Sequence, residues 1–219
     1  MTRRLLILTS VVFLTGCQTM REMGGFPEKV ADLVSGETPR KSRDKMENGQ
    51  LPDERRQGIN ELADRRFGKD PLYTLRYSQI AENDPDYSVK ATAIRALNRA
   101  RDRKSTPLFI KFLSDEHAEV RLEAVKALAN LPDPNATQPL LSIVRNENET
   151  RDVRIAAAEA LKHYRTLEVA RALIAQLGGK DFGVAWQSRE SLKLLTRRDL
   201  EFDETAWLNF VTGPTKPFG

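Results

Sequence analysis

Read for the spacing of its apolar positions, the chain divides into three stretches. Leu5 to Leu14 is predominantly apolar, with Thr9 and Ser10 as its only polar members. From Gln18 to about Leu51 the pattern weakens. Phe26, Val30, Leu33 and Val34 fall at i, i+4, i+7 and i+8, the spacing of a short amphipathic helix opened by Pro27 and too short to be stable alone. Gly36 to Gln50 carries Met46 as its one large apolar residue between alternating charges, and reads as a solvated linker. Beyond it the pattern becomes a repeat.

Four nonamers align in register: VKATAIRAL from Val89, VRLEAVKAL from Val120, VRIAAAEAL from Val153 and VAWQSRESL from Val184, spaced by 31, 33 and 31 residues. Their first, fifth, eighth and ninth positions are apolar or small throughout, as in Val120, Ala124, Ala127 and Leu128, which is one face of an α-helix. The alanines let neighbouring backbones approach closely. A degenerate copy, ERRQGINEL from Glu54, keeps Arg55, Gly58 and Leu62 at matching places. After each copy a turn and a second apolar helix are predicted: Pro71 to Ile80, Pro107 to Leu113, Pro139 to Val144 and Leu167 to Leu177. Proline suits the first helical position because the N–H it lacks would be unpaired there anyway.

Composition narrows the classes. Aromatics are 7% and charges 30% of the 219 residues, which suits thin amphipathic helices. Arg3 and Arg4 supply two of the four net positive charges, so removal of a leader containing them leaves too little charge for a long-range nucleic-acid field. Cys17 is the only cysteine, which excludes an internal disulfide. There is no His-Glu-x-x-His, Walker or Gly-x-Ser-x-Gly pattern, and the two histidines, His117 and His163, fall in a loop and near a helix end. No catalysis, cofactor or metal is expected. Gly178-Gly179 before Asp181 reads as a helix stop.

Two resemblances follow from these motifs. Arg3, Arg4 and the apolar stretch, about half the length of a membrane-spanning helix, precede Leu14-Thr15-Gly16-Cys17, which resembles the bacterial lipobox. That resemblance implies cleavage between Gly16 and Cys17, acylation of Cys17, and a mature protein tethered to a membrane at the cell envelope. Gln18 rather than Asp after the cysteine favours the outer membrane. The period of about 32 and the stretch DEHAEVRLEAVKALANLPDPNATQPLLSIV resemble short HEAT repeats of the phycobilisome-lyase-like type. They imply an all-α, right-handed α-solenoid of about five helix pairs. The expected organisation is a signal peptide over 1–16, a lipidated tether over 17–50, the HEAT domain over 51–213 and a disordered tail over 214–219. The end also resembles a C-terminal pattern of bacterial HEAT proteins, a Leu-Thr-Gly turn followed by Phe-Gly, Asp and a helix with spaced tryptophans. Leu195, Thr196, Asp203, Trp207 and Phe210 keep parts of it, while Arg197 and Leu200-Glu201 stand in place of its glycines.

Within the repeats a cation recurs after the first nonamer position: Arg55, Lys90, Arg121 and Arg154. Asp84, Asp115 and Asn148 lie five positions before the following valines. The pattern suits a ladder linking adjacent repeats, the alternative being a basic stripe that grips an acidic ligand. Trp186 shares the register of Ala91, Leu122 and Ile155 and is expected to pack, and Glu123 is expected to be exposed. The second helices are expected to line a concave binding surface carrying Arg76, Lys111, Ser142 and Arg171. The function these features imply is a scaffold for an envelope protein or peptide, with the membrane contacted through the lipid and no nucleic-acid partner. A chromophore-lyase-like enzyme and a HEAT-fold nucleic-acid-binding protein are the alternatives.

Overall fold

The computed structural model describes residues 39–214 and 217–218. Gly16, Cys17 and the amphipathic stretch from Phe26 to Val34 lie outside the described residues. Among those described there are eleven α-helices and no strand. Helices α1 (Pro39–Asn48) and α2 (Pro52–Ala63) form the first pair. Then come α3 (Pro71–Asn83) with α4 (Tyr87–Ala100), α5 (Thr106–Phe112) with α6 (Ala118–Asn130), and α7 (Thr137–Arg145) with α8 (Arg151–Ala160). Helices α9 (Leu167–Ile174) and α10 (Phe182–Thr196) complete five pairs, and α11 (Glu204–Thr212) closes the stack. The even-numbered helices from α2 to α10 are the nonamers.

Local chemistry starts these helices where the apolar period begins. Asp86 accepts hydrogen bonds from the N–H groups of Ser88 and Val89 at the start of α4, and Asp181 does the same for Gly183 and Val184 at α10. Thr166 caps α9 and Asp203 caps α11. Proline occupies the first turn of α2, α3 and α5.

The nonamer helices pack on one another along the whole stack, because their facing positions are small: Ala93, Ala96, Ala124, Ala127, Ala157 and Ala160 are fully or almost fully buried. The helices of the other layer touch one another little, and a cleft of about 770 Å³ separates α3 from α5. The nonamer helices are therefore the closely packed, inner layer and their partners the looser, outer one. Side-chain volume is the reason: alanine sets the nonamer axes close together, whereas Phe109, Leu140, Leu141 and Leu173 hold the outer helices away from their inner partners.

Two expectations are overturned. Residues 39–48 are not linker but α1, which buries Ser42 and Met46 against α2. Gly58 makes this contact possible, since a Cβ there would overlap the backbone of Ser42 and Met46. Ser42 Oγ donates to Glu61 at 2.6 Å, and Lys45 Nζ lies 3.2 Å from the same carboxylate. A single apolar residue in ten leaves no readable period, and the helix depends on its partner. At the other end, within 214–219, Phe218 packs against the core, so that segment is not uniformly a free tail.

Among the described residues, three non-glycine residues have left-handed backbone: Arg101 (φ 54°), Arg197 (φ 59°) and Glu201 (φ 52°). The last two lie where the resembled C-terminal pattern places glycines. Arg197 is exposed. Because a Cβ in this region is sterically disfavoured, Arg197→Gly is expected to raise the free energy of unfolding by about 0.5–1 kcal/mol in urea melts. Arg198→Gly, one residue on, should give no gain.

Candidate interaction surface

The recurring cations occupy the edge where outer helices turn into inner ones. Arg55 Nη1 donates to the carbonyls of Gly49 and Gln50 in its own loop, and its Nε and Nη2 reach the Asp84 carboxylate of the next repeat at 2.8 and 2.9 Å. Arg121 repeats the arrangement, with the carbonyls of Asp115 and Glu116 on one side and the Glu149 carboxylate at 2.7 and 2.8 Å on the other. The hydrogen bond and charge of each carboxylate raise the pKa of Arg55 and Arg121. Burial pushes Glu149 up, but its bonds from Arg121 and Thr150 outweigh that and hold it below the usual carboxylate range.

The other two predicted rungs differ. Arg154 Nη2 donates to Gln176 at 2.9 Å, and Lys90 makes no ion pair among the described residues. A lysine lacks the fork that spans its own loop and the next one at once. Asp115 contributes its carbonyl, while its carboxylate accepts the His117 N–H. Asn148 is not the rung partner either; the neighbouring Glu149 is. The rung carboxylate Glu149 lies four positions before Val153, whereas Asp84 lies five before Val89, so counting back five from the valine points to the wrong residue.

Arg76, Lys111, Ser142 and Arg171 are exposed on α3, α5, α7 and α9, which is the outer layer. Arg76 lies 3.4 Å from Glu47 and Lys111 3.1 Å from Glu82, so two of them are paired with acids of the preceding outer helix. The inner layer carries a different chemistry. Arg95 Nε and Nη2 bridge from α4 to Glu123 on α6 at 3.2 and 3.1 Å, and Lys126 joins the same carboxylate. Glu123 is buried, contrary to the expectation of an exposed site.

The corresponding ridge runs through Leu122 and Ile155, both partly buried, to Trp186, which is 47% exposed. Trp186 is therefore not a packing residue: among the described residues no inner helix follows α10 to cover it. One helical turn earlier Phe182 is 68% exposed, and its ring lies 5.9 Å from that of Phe202 in the closing loop. Arg189 fixes this loop. It binds Asp199 at 2.9 and 2.7 Å and stacks over Phe202 at 5.2 Å. The Arg189 hydrogen bond is the main cause that lowers the Asp199 pKa to about 2. Phe182, Trp186 and Phe202 thus form an aromatic shelf whose base is held by charged contacts.

Residues 76–162 match the family described as HEAT repeats. The matched segment runs from within α3 to just past α8. The array is similar in fold to the X-ray structure of YibA from E. coli, with a TM-score of 0.58 and 19% sequence identity. The alignment covers 71% of this chain and 58% of YibA, so the chain spans less than two thirds of that protein. A search of curated proteins finds no match.

Other candidate chemistry does not converge. His117 stacks on Tyr87 at 4.5 Å, His163 is exposed, and Asp181 caps α10 and receives Arg151 at 3.2 Å. Among the described residues no group of three or more His, Cys, Asp or Glu is placed to hold a metal ion, and no helix is long and apolar enough to cross a membrane. The aromatic shelf was missed from sequence. The signal for it was present: Phe182 and Trp186 lie four residues apart, one helical turn, at the start of the helix that carries the last nonamer.

Proposed function

We propose that this chain is a non-catalytic HEAT scaffold, tethered through acylated Cys17 to a membrane of the bacterial envelope, that captures a protein partner on the inner layer at its distal end. The observation that carries this reading is the row of exposed rings Phe182, Trp186 and Phe202 on a base fixed by Arg189 and Asp199. Rigid exposed aromatics flanked by charged groups are the composition of a protein-binding centre, where a few residues carry most of the affinity. The lipobox-like Leu14 to Cys17 supports the tether.

The test is site-directed photo-crosslinking in cells. A photoreactive residue at position 186 should yield one discrete adduct. Trp186→Ala with Phe182→Ala should reduce partner capture more than tenfold, with little change in melting temperature because both side chains are exposed. Arg171→Glu on the outer layer should leave capture unchanged. Adducts from position 171 and none from 186 would overturn the assignment of the face. Cys17→Ser should abolish labelled palmitate incorporation; retained labelling would remove the tether.

A further inference from the structure

The two edges of the array differ in charge at its first repeats. The segments that lead into inner helices, 49–54, 82–86 and 113–119, contain eight Asp and Glu and no Lys or Arg, with Arg55, Lys90 and Arg121 following in the first helical turns. The loops that lead out of them, 64–70 and 99–104, contain seven Lys and Arg against three Asp. Arg66, Lys69, Arg101, Arg103 and Lys104 are exposed, and none is held in an ion pair among the described residues. Lys69, Arg101 and Lys104 converge around one end of the cleft between α3 and α5. Arg99, by contrast, is paired with Asp64, which ties the two basic loops side by side. The following loop, 130–137, has Asp133 as its only charge, so the basic run is interrupted there before Lys162 and Arg165 in the next loop.

The chain enters the array at that same edge. Helices α1 and α2 are antiparallel: Ser42 meets Glu61, Met46 meets Gly58, and Gly49 lies beside Glu54 and Arg55. Continuing the register places Pro39 opposite Asp64 and Arg65. Arg40, exposed in the first turn of α1, adds to the same side. Twenty-one residues separate Cys17 from Pro39. A coil of that length has an end-to-end distance of about 25 Å, so an anchored Cys17 keeps the basic edge within reach of the lipid surface.

We infer that this edge is a docking surface for an anionic lipid bilayer, holding the array edge-on against the membrane that anchors it, with the acidic edge outward and the distal aromatic shelf free. This rests on the tether reading. The chemistry is that of lysine and arginine clusters next to a membrane anchor, whose attraction to anionic headgroups adds per charge and is screened by salt.

The test uses the mature chain from Cys17 onward, prepared without acyl groups and with its thiol alkylated. Its binding is compared on vesicles of phosphatidylcholine alone and with about 30% phosphatidylglycerol. The anionic vesicles should bind it and the neutral ones should not, with binding lost as salt is raised. Each neutralised cation should lower the partition coefficient about fivefold. Arg66→Gln, Lys69→Gln, Arg101→Gln and Lys104→Gln together should bring binding below detection while leaving the far-UV melt unchanged. Lys126→Gln with Lys180→Gln should change nothing. No binding to anionic vesicles at low salt, equal binding to neutral ones, an unaffected quadruple variant, or a preference of the same residues for duplex DNA over the vesicles overturns the inference. A chain that binds these vesicles yet takes up no palmitate in cells loses its anchor and keeps its edge. One that is labelled at Cys17 and does not bind them keeps the anchor and loses the edge.

Discussion

Trp207→Ala is expected to cost about 3–5 kcal/mol of stability and to release α11 from the end of the stack. The indole is fully buried, and its Nε1–H donates to the carbonyl of Glu201 at 3.0 Å. That carbonyl belongs to a residue with left-handed backbone, so the hydrogen bond holds the closing loop in a conformation it would not otherwise favour. The same loop carries Asp199 and Phe202, so truncation at Trp207 should also loosen the shelf. Trp207→Phe keeps most of the apolar volume but leaves the carbonyl unpaired, and should cost about 1–3 kcal/mol. Urea denaturation followed by far-UV circular dichroism checks both. A loss below about 1 kcal/mol for Trp207→Ala would mean that α11 is not an integral cap.

Leu128→Ala in the central inner helix α6 should cost about 2–4 kcal/mol. Leu128 is fully buried in a layer that packs against α4 on one side and α8 on the other. Each repeat of a solenoid contacts only its neighbours, so weakening the middle uncouples the halves, and the urea transition should broaden as well as shift. The comparison site is Ser142, exposed on the outer helix α7, where Ser142→Ala should stay within about 0.5 kcal/mol. Glu123 cannot serve this purpose, because its carboxylate is buried between Arg95 and Lys126. Equal effects at positions 128 and 142 would contradict the register of the repeat.

The site was less legible than the fold, and the residues show why. Arg55 and Arg121 were found because a rung repeats with the nonamer, and repetition is visible in one dimension. Glu149 escapes the pattern because it lies four rather than five positions before the nonamer valine. Trp186 was read as packing because its equivalents Leu122 and Ile155 are partly covered, although coverage at the last repeat depends on a helix that does not follow. Arg76 and Lys111 are exposed as their helix positions predict, and each is paired with an acid of the preceding outer helix.

The sequence by itself determined that the chain is an all-α repeat array and that the first, fifth, eighth and ninth positions of each of the four aligned nonamers are buried. Those properties follow from local period, which needs no knowledge of distant residues. Tertiary structure alone decided that α1 is a helix, since its single buried methionine requires the space above Gly58. It also decided that the alanine-lined layer is the more closely packed one, that Glu123 is buried, and that the cations of two successive loops share an edge with the start of α1. Each of these depends on how closely neighbouring helices approach, a sum over side-chain volumes on two or three elements that no single stretch of sequence contains.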